Sequence, residues 1–93
     1  MIYIVMGETG EYLDHTDWPV LAFHNEEDAQ AFVTKLDEWL RVNRLHMETE
    51  NYHISMDYAQ LNAIKHPLDP DMRVDYTGTR YYAMSVKEAD DLS

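Results

Sequence analysis

Cysteine is absent from the chain, which excludes a disulfide framework, a thiolate nucleophile and a thiolate metal ligand. Basic residues are scarce: 7 Lys and Arg stand against 18 Asp and Glu, a formal charge of −11. Such a surface repels phosphate backbones and anionic headgroups, so direct nucleic-acid or membrane binding through a basic face is not expected. No apolar run approaches the roughly 18 residues that cross a bilayer. Residues 1–6 lack the basic start of a signal peptide. A cytoplasmic protein is the expectation. What is present is ordinary in other respects: 45% hydrophobic and 27% charged residues suit a folded chain. A length of 93 residues suits one domain, because half of it would bury too little surface to hold itself together.

Residues 2–6 form an apolar run with β-branched positions at Ile2, Ile4 and Val5, apolar on both faces as in a central strand. Gly7 is expected to end it. Residues 7–17, with two glycines and four acids, predict a long exposed loop. Residues 18–23 predict a second strand, with Pro19 at its start or on a sheet edge. Asn25 is an N-cap, followed by Glu26, Glu27 and Asp28 where carboxylates meet the positive end of a helix dipole. Ala29, Phe32, Val33, Leu36, Trp39 and Leu40 recur at helical spacing, predicting a helix over 26–44. Residues 52–66 fit either a short helix capped by Ser55, with Tyr58, Leu61 and Ile64 on one face, or a strand over 52–56. Asp75-Tyr76-Thr77-Gly78 predicts a turn with Gly78 at positive φ. Residues 81–86 predict the last strand, with Tyr82 in the core, and residues 88–93 are expected to fray. The expected fold is therefore α+β, a single domain over residues 1–93 in the order β-β-α-(α)-β. Its three-stranded, mainly antiparallel sheet carries one long helix on a face.

Chemistry-bearing motifs are sparse. None of His15, His24, His46, His53 and His66 forms a zinc-type pair, and surface or loop positions are expected for all five. Asp69 and Asp71 open like a calcium loop but lack its glycine and terminal glutamate. Gly7-Glu8-Thr9-Gly10 lacks the Lys-Ser/Thr of a phosphate loop. Ser55 and Ser85 have no nucleophile context. No catalytic, metal or cofactor-binding residue is assigned, and no enzyme is expected.

The acids and aromatics are more distinctive. Glu8, Glu11, Asp14 and Asp17 precede the second strand, and Asp75 precedes the last. Tyr12, Trp18 and Tyr76 lie in or beside the same loops, where aromatics serve contacts. If the two loops meet at one end of the sheet, these eight residues share a partner-binding patch.

The pattern Ile2-Tyr3-Ile4-Val5, Gly7-x-Thr9-Gly10-Glu11-Tyr12-x-Asp14, Trp18-x-Val20-x-Ala22-Phe23 and Asp75-Tyr76-Thr77-Gly78-Thr79-x-Tyr81-Tyr82 resembles small accessory proteins of tailed phages and prophages. The resemblance implies a protein made in an infected or lysogenic bacterium, without catalytic machinery. By analogy of context and charge, the expected function is inhibition or modulation of a host protein with a basic surface. A nucleic-acid-handling defence complex fits, met by an anti-CRISPR-like or restriction-inhibitor-like protein that stands in for a short stretch of DNA. The alternative is a homo-oligomeric structural or morphogenetic accessory, with a homodimer its simplest form, pairing through exposed strand edges.

Overall fold

The computed structural model describes residues 1–10, 12–47 and 54–92; for Tyr12, Tyr58 and Leu92 the description stops at the backbone. The central strand is β1 (Ile2–Thr9), with β2 (Thr16–Phe23) antiparallel on one edge and β3 (Thr79–Val86) antiparallel on the other. The α1 helix (Glu26–Val42) lies across one face, and α2 (Tyr58–Ala63) is a short helix in the long connection to β3. The expected α+β order and the single main helix are observed.

Local chemistry explains the helix ends. The Asn25 side chain accepts from the backbone N–H groups of Glu27 and Asp28 at 2.8 and 3.2 Å. At the other end Arg44 adopts φ 56°, and the N–H groups of Leu45 and Arg44 turn back onto the carbonyls of Leu40 and Arg41. That is a Schellman closure with arginine at the left-handed position usually taken by glycine. The α2 helix starts from Asp57, whose side chain takes the N–H of Gln60 while Gln60 returns the bond. This capping box displaces Ser55 as the cap. Of the competing strand, residues 54–56 form none, and residues 52 and 53 lie outside the described residues.

Gly7 does not end β1. It sits in register with Trp18, and a Cβ there would stand 2.5 Å from Cζ2 of that indole. Glycine is needed for the close approach of a ring, so the strand runs on to Thr9 and β2 begins at Thr16. The expected loop over 7–17 shrinks to a turn containing a 3-10 helix at Tyr12–Asp14. Pro19 lies on the edge strand, as expected, beside a bulge at the Val5/Met6 step of the register. Gly78 has φ +94°, as its turn requires. The chain end, expected to fray, forms a 3-10 turn at Ala89–Leu92, with Asp91 2.7 Å from the Met1 amine.

The core lies between α1 and one face of the sheet. Val5, Trp18 and Tyr81 meet Ala29, Leu36 and Leu40, and Leu45, Leu61, Met72 and Val74 close the sides. Tyr81, not Tyr82, points inward, and Ala83 follows it. On the opposite face Ile2, Ile4 and Met6 stand in register with Val86, Met84 and Tyr82. Among the described residues no helix or strand packs against that second face.

Candidate partner-binding surface

The β1–β2 turn and the 75–78 turn meet at one end of the sheet. Thr9 fastens them: its hydroxyl donates to the Gly78 carbonyl at 2.6 Å and accepts from the Asp75 N–H at 3.0 Å. The two turns therefore meet, but the residues expected to share a patch there have different surroundings. Asp14 and Asp17 are exposed. Glu8 is held by Arg80 at 2.9 Å and by His15 at 3.2 Å. Asp75 accepts from the backbone and hydroxyl of Thr77, so its carboxylate shapes its own turn. Tyr76 is partly exposed. Glu11 and the Tyr12 side chain lie outside the described residues.

Trp18 does not face solvent. It is 8% exposed, and its indole N–H donates to Asp69 at 2.9 Å. The same carboxylate oxygen accepts from the Tyr81 hydroxyl at 2.8 Å, while the other takes the Asp71 N–H at 3.2 Å. Asp69 is 1% exposed and ties the 66–72 loop to two strands. Burial, then the bond to Asp69, pushes the Tyr81 phenol well above its ordinary pKa.

His66 departs from the expected surface position. It is buried, with its ring centroid 4.5 Å from that of Trp39. Its Nε2–H donates to the Leu36 carbonyl at 3.1 Å and its Nδ1 accepts the Leu68 N–H at 2.9 Å, which fixes the neutral tautomer. Burial lowers its pKa from 6.5, opposed by the Leu36 carbonyl and Asp69.

A cavity of about 390 Å³ opens beside the joined turns. Leu61, Met72 and Val74 form its apolar wall, and Asp14, Asp75, Asn62, Lys65 and Arg73 its polar one. Lys65 spends one donor on the Met72 carbonyl at 3.2 Å. With acids and cations interleaved, this end has mixed charge. Among the described residues no three His, Asp or Glu side chains converge to hold a metal ion.

Two features were not nominated from sequence. Leu13, at the tip of the turn, is 101% exposed, a fully solvated leucine beside Asp14. The opposite end of the sheet is more acidic than the predicted one. Glu26, Glu27 and Asp28 open α1 there, and Glu88 reaches His24 at 3.6 Å while Asp91 reaches Met1. Both acid runs are visible in the sequence, the second in a tail expected to fray.

No family model, curated protein or solved structure matches this chain.

Proposed function

We propose that this chain is a small binding protein that occupies a basic surface of another protein. The observation that carries the reading is charge segregation. The three strands together hold Glu8, Asp17 and Arg80, one net negative charge out of −11. The excess lies on the helix start, the turns and the C-terminal segment, where carboxylates project from backbone held by caps and clamps. Fixed charges on a rigid frame steer encounter with an oppositely charged surface and disfavour neutral ones. Exposed Leu13 and partly exposed Tyr76 supply apolar contact beside Asp14 and Asp17, and a few such anchors carry most of an interface's energy.

The resemblance to phage accessory proteins supplies the biological context. The partner is then a host protein whose basic groove ordinarily holds nucleic acid, such as a restriction enzyme or a CRISPR effector. Duplex DNA presents about one charge per 1.7 Å of axis, so a domain this small covers a short stretch of such a groove.

The test uses host lysate and three forms of the full chain: wild type, an Asp14→Asn/Asp17→Asn variant, and a Glu26→Gln/Glu27→Gln/Asp28→Asn variant. The reading expects one host protein retained at low salt, released as salt rises, and lost from at least one amide variant whose melting temperature is retained. Absence of a partner at low salt, or capture indifferent to salt and to both substitution sets, contradicts it.

A further inference from the structure

We propose that the cavity beside the joined turns binds a free α-amino acid with a short aliphatic side chain. This inference goes beyond the binding of a basic protein and stands whether or not such a partner exists. The cavity, of about 390 Å³, falls within the roughly 300–1,000 Å³ of small-molecule sites. Two cations, Lys65 and Arg73, and two carboxylates, Asp14 and Asp75, line it. The whole chain has only 7 Lys and Arg against 18 Asp and Glu, so a lining with equal numbers of both signs is unlike the chain as a whole.

The backbone holds these groups in place, and their charges are not spent on one another. The Lys65 ammonium is fixed on the Met72 carbonyl at 3.2 Å, one residue from Arg73, which leaves it two further N–H donors. The Arg73 carbonyl accepts the Thr79 hydroxyl at 2.6 Å, so the backbone that carries the guanidinium is tied to the start of β3. Asp75 follows two residues later, its N–H held by Thr9 and one carboxylate oxygen by Thr77. Among the described residues its other oxygen, the Asp14 carboxylate and the Arg73 guanidinium have no hydrogen-bond or ion-pair partner. Val74 and Leu61 add an apolar patch, small because they are only 7% and 2% exposed.

Charge selects the ligand. A simple anion meets Lys65 and Arg73 but also two carboxylates, in the field of a chain of −11. A simple cation meets two cations here, and finds acids without them at the start of α1. A zwitterion satisfies both signs, with its carboxylate on Arg73 and Lys65 and its ammonium on Asp14 and the second oxygen of Asp75. Arginine suits the first task, because its planar fork matches a carboxylate with two parallel hydrogen bonds. An α-amino acid carries both charges on one carbon and leaves its side chain for the apolar patch. The small exposed area of Val74 and Leu61 favours a short aliphatic side chain over an aromatic one.

Isothermal titration calorimetry of the full chain with L-valine tests the proposal, with N-acetyl-L-valine and L-valinamide as ligands that each lack one charge. Valine is expected to bind with a Kd of about 1 mM or tighter. Each analogue should bind about tenfold more weakly, the loss of one charge-assisted contact. Arg73→Gln should remove the advantage of valine over valinamide, and Asp14→Asn most of its advantage over N-acetylvaline, since each takes away the group that reads the missing charge. Both side chains are exposed, so both variants should keep the wild-type melting temperature. If Arg73→Gln lowers it, Arg73→Lys, which keeps the charge and loses the fork, replaces it and should reduce the same advantage. No binding of valine at about 10 mM overturns the proposal. So do analogues that bind as tightly as valine, or valine binding that both variants leave unchanged.

Discussion

The two faces of one sheet have nearly the same hydrophobic content and opposite fates. On β3 the inward row is Tyr81, Ala83 and Ser85, and the outward row is Tyr82, Met84 and Val86. The bulkier apolar row is the one left in water. What selects the inner face is fit rather than hydrophobicity. Gly7 leaves room for the Trp18 ring, Ala83 lets α1 approach, and Tyr81 and Trp18 each carry a polar group that Asp69 satisfies. Met84 and Val86 of the outward row have no side-chain donor to offer a buried carboxylate. Burial inside one chain therefore follows polar satisfaction and close packing, and the surplus apolar surface is left on the other face.

Breaking the inner face should cost most. Leu36→Ala removes a side chain that is 0% exposed and should destabilise the fold by about 2–5 kcal/mol, measured by urea unfolding. Met84→Ala, on the other face, should change the stability of the fold by less than about 0.5 kcal/mol. Equal losses would erase the distinction between the faces.

Asp69→Asn sharpens the argument about fit. An amide matches the carboxylate in shape, but its NH₂ must then face one of three N–H or O–H donors. The expected cost is about 1–3 kcal/mol, with a shift in Trp18 fluorescence. An unchanged unfolding midpoint would show that the donors find water instead. Gly7→Ala probes the same fit from the sheet side. Its methyl group meets the Trp18 ring and should cost about 1–3 kcal/mol through displacement of the indole.

The smallest expected effect is a pH dependence. Because burial lowers the pKa of His66, the unfolded chain binds its proton at higher pH than the folded chain does. Stability from this group is thus complete above the ordinary value of 6.5 and falls as pH drops through and below it. Urea midpoints between about pH 7 and about pH 5, with the His66 ring followed by NMR, should show the decline and a ring that titrates below 6.5. A His66 ring that titrates above 6.5 would contradict the assignment.

The sequence carried the element types because they rest on local signals: the Asn25 cap, the spacing from Ala29 to Leu40, and Gly78 at a left-handed turn. The strand ends at Thr9 and Thr16 were hidden because a glycine in a strand looks like a break until the ring that covers it is known. Which of Tyr81 and Tyr82 faces inward was equally hidden, since both rows of β3 are apolar. The meeting of the two acidic turns was anticipated, but not the use of Asp75 and Glu8 in holding them. Trp18 was misplaced because its partner, Asp69, lies 51 residues away in a loop with no periodicity.

Methionine oxidation tests the central claim most directly, because the chain places a thioether in each environment. Met72 is fully buried in the core, Met6 and Met84 lie on the second face, and Met56 is exposed in the segment before α2. In excess peroxide, with each site followed by peptide mass, Met72 should be protected and Met56 reactive. Met84 should react about as readily as Met56, and partly buried Met6 more slowly than Met84 but much faster than Met72. Protection of Met84 to the level of Met72 would contradict a sheet with one packed and one open face.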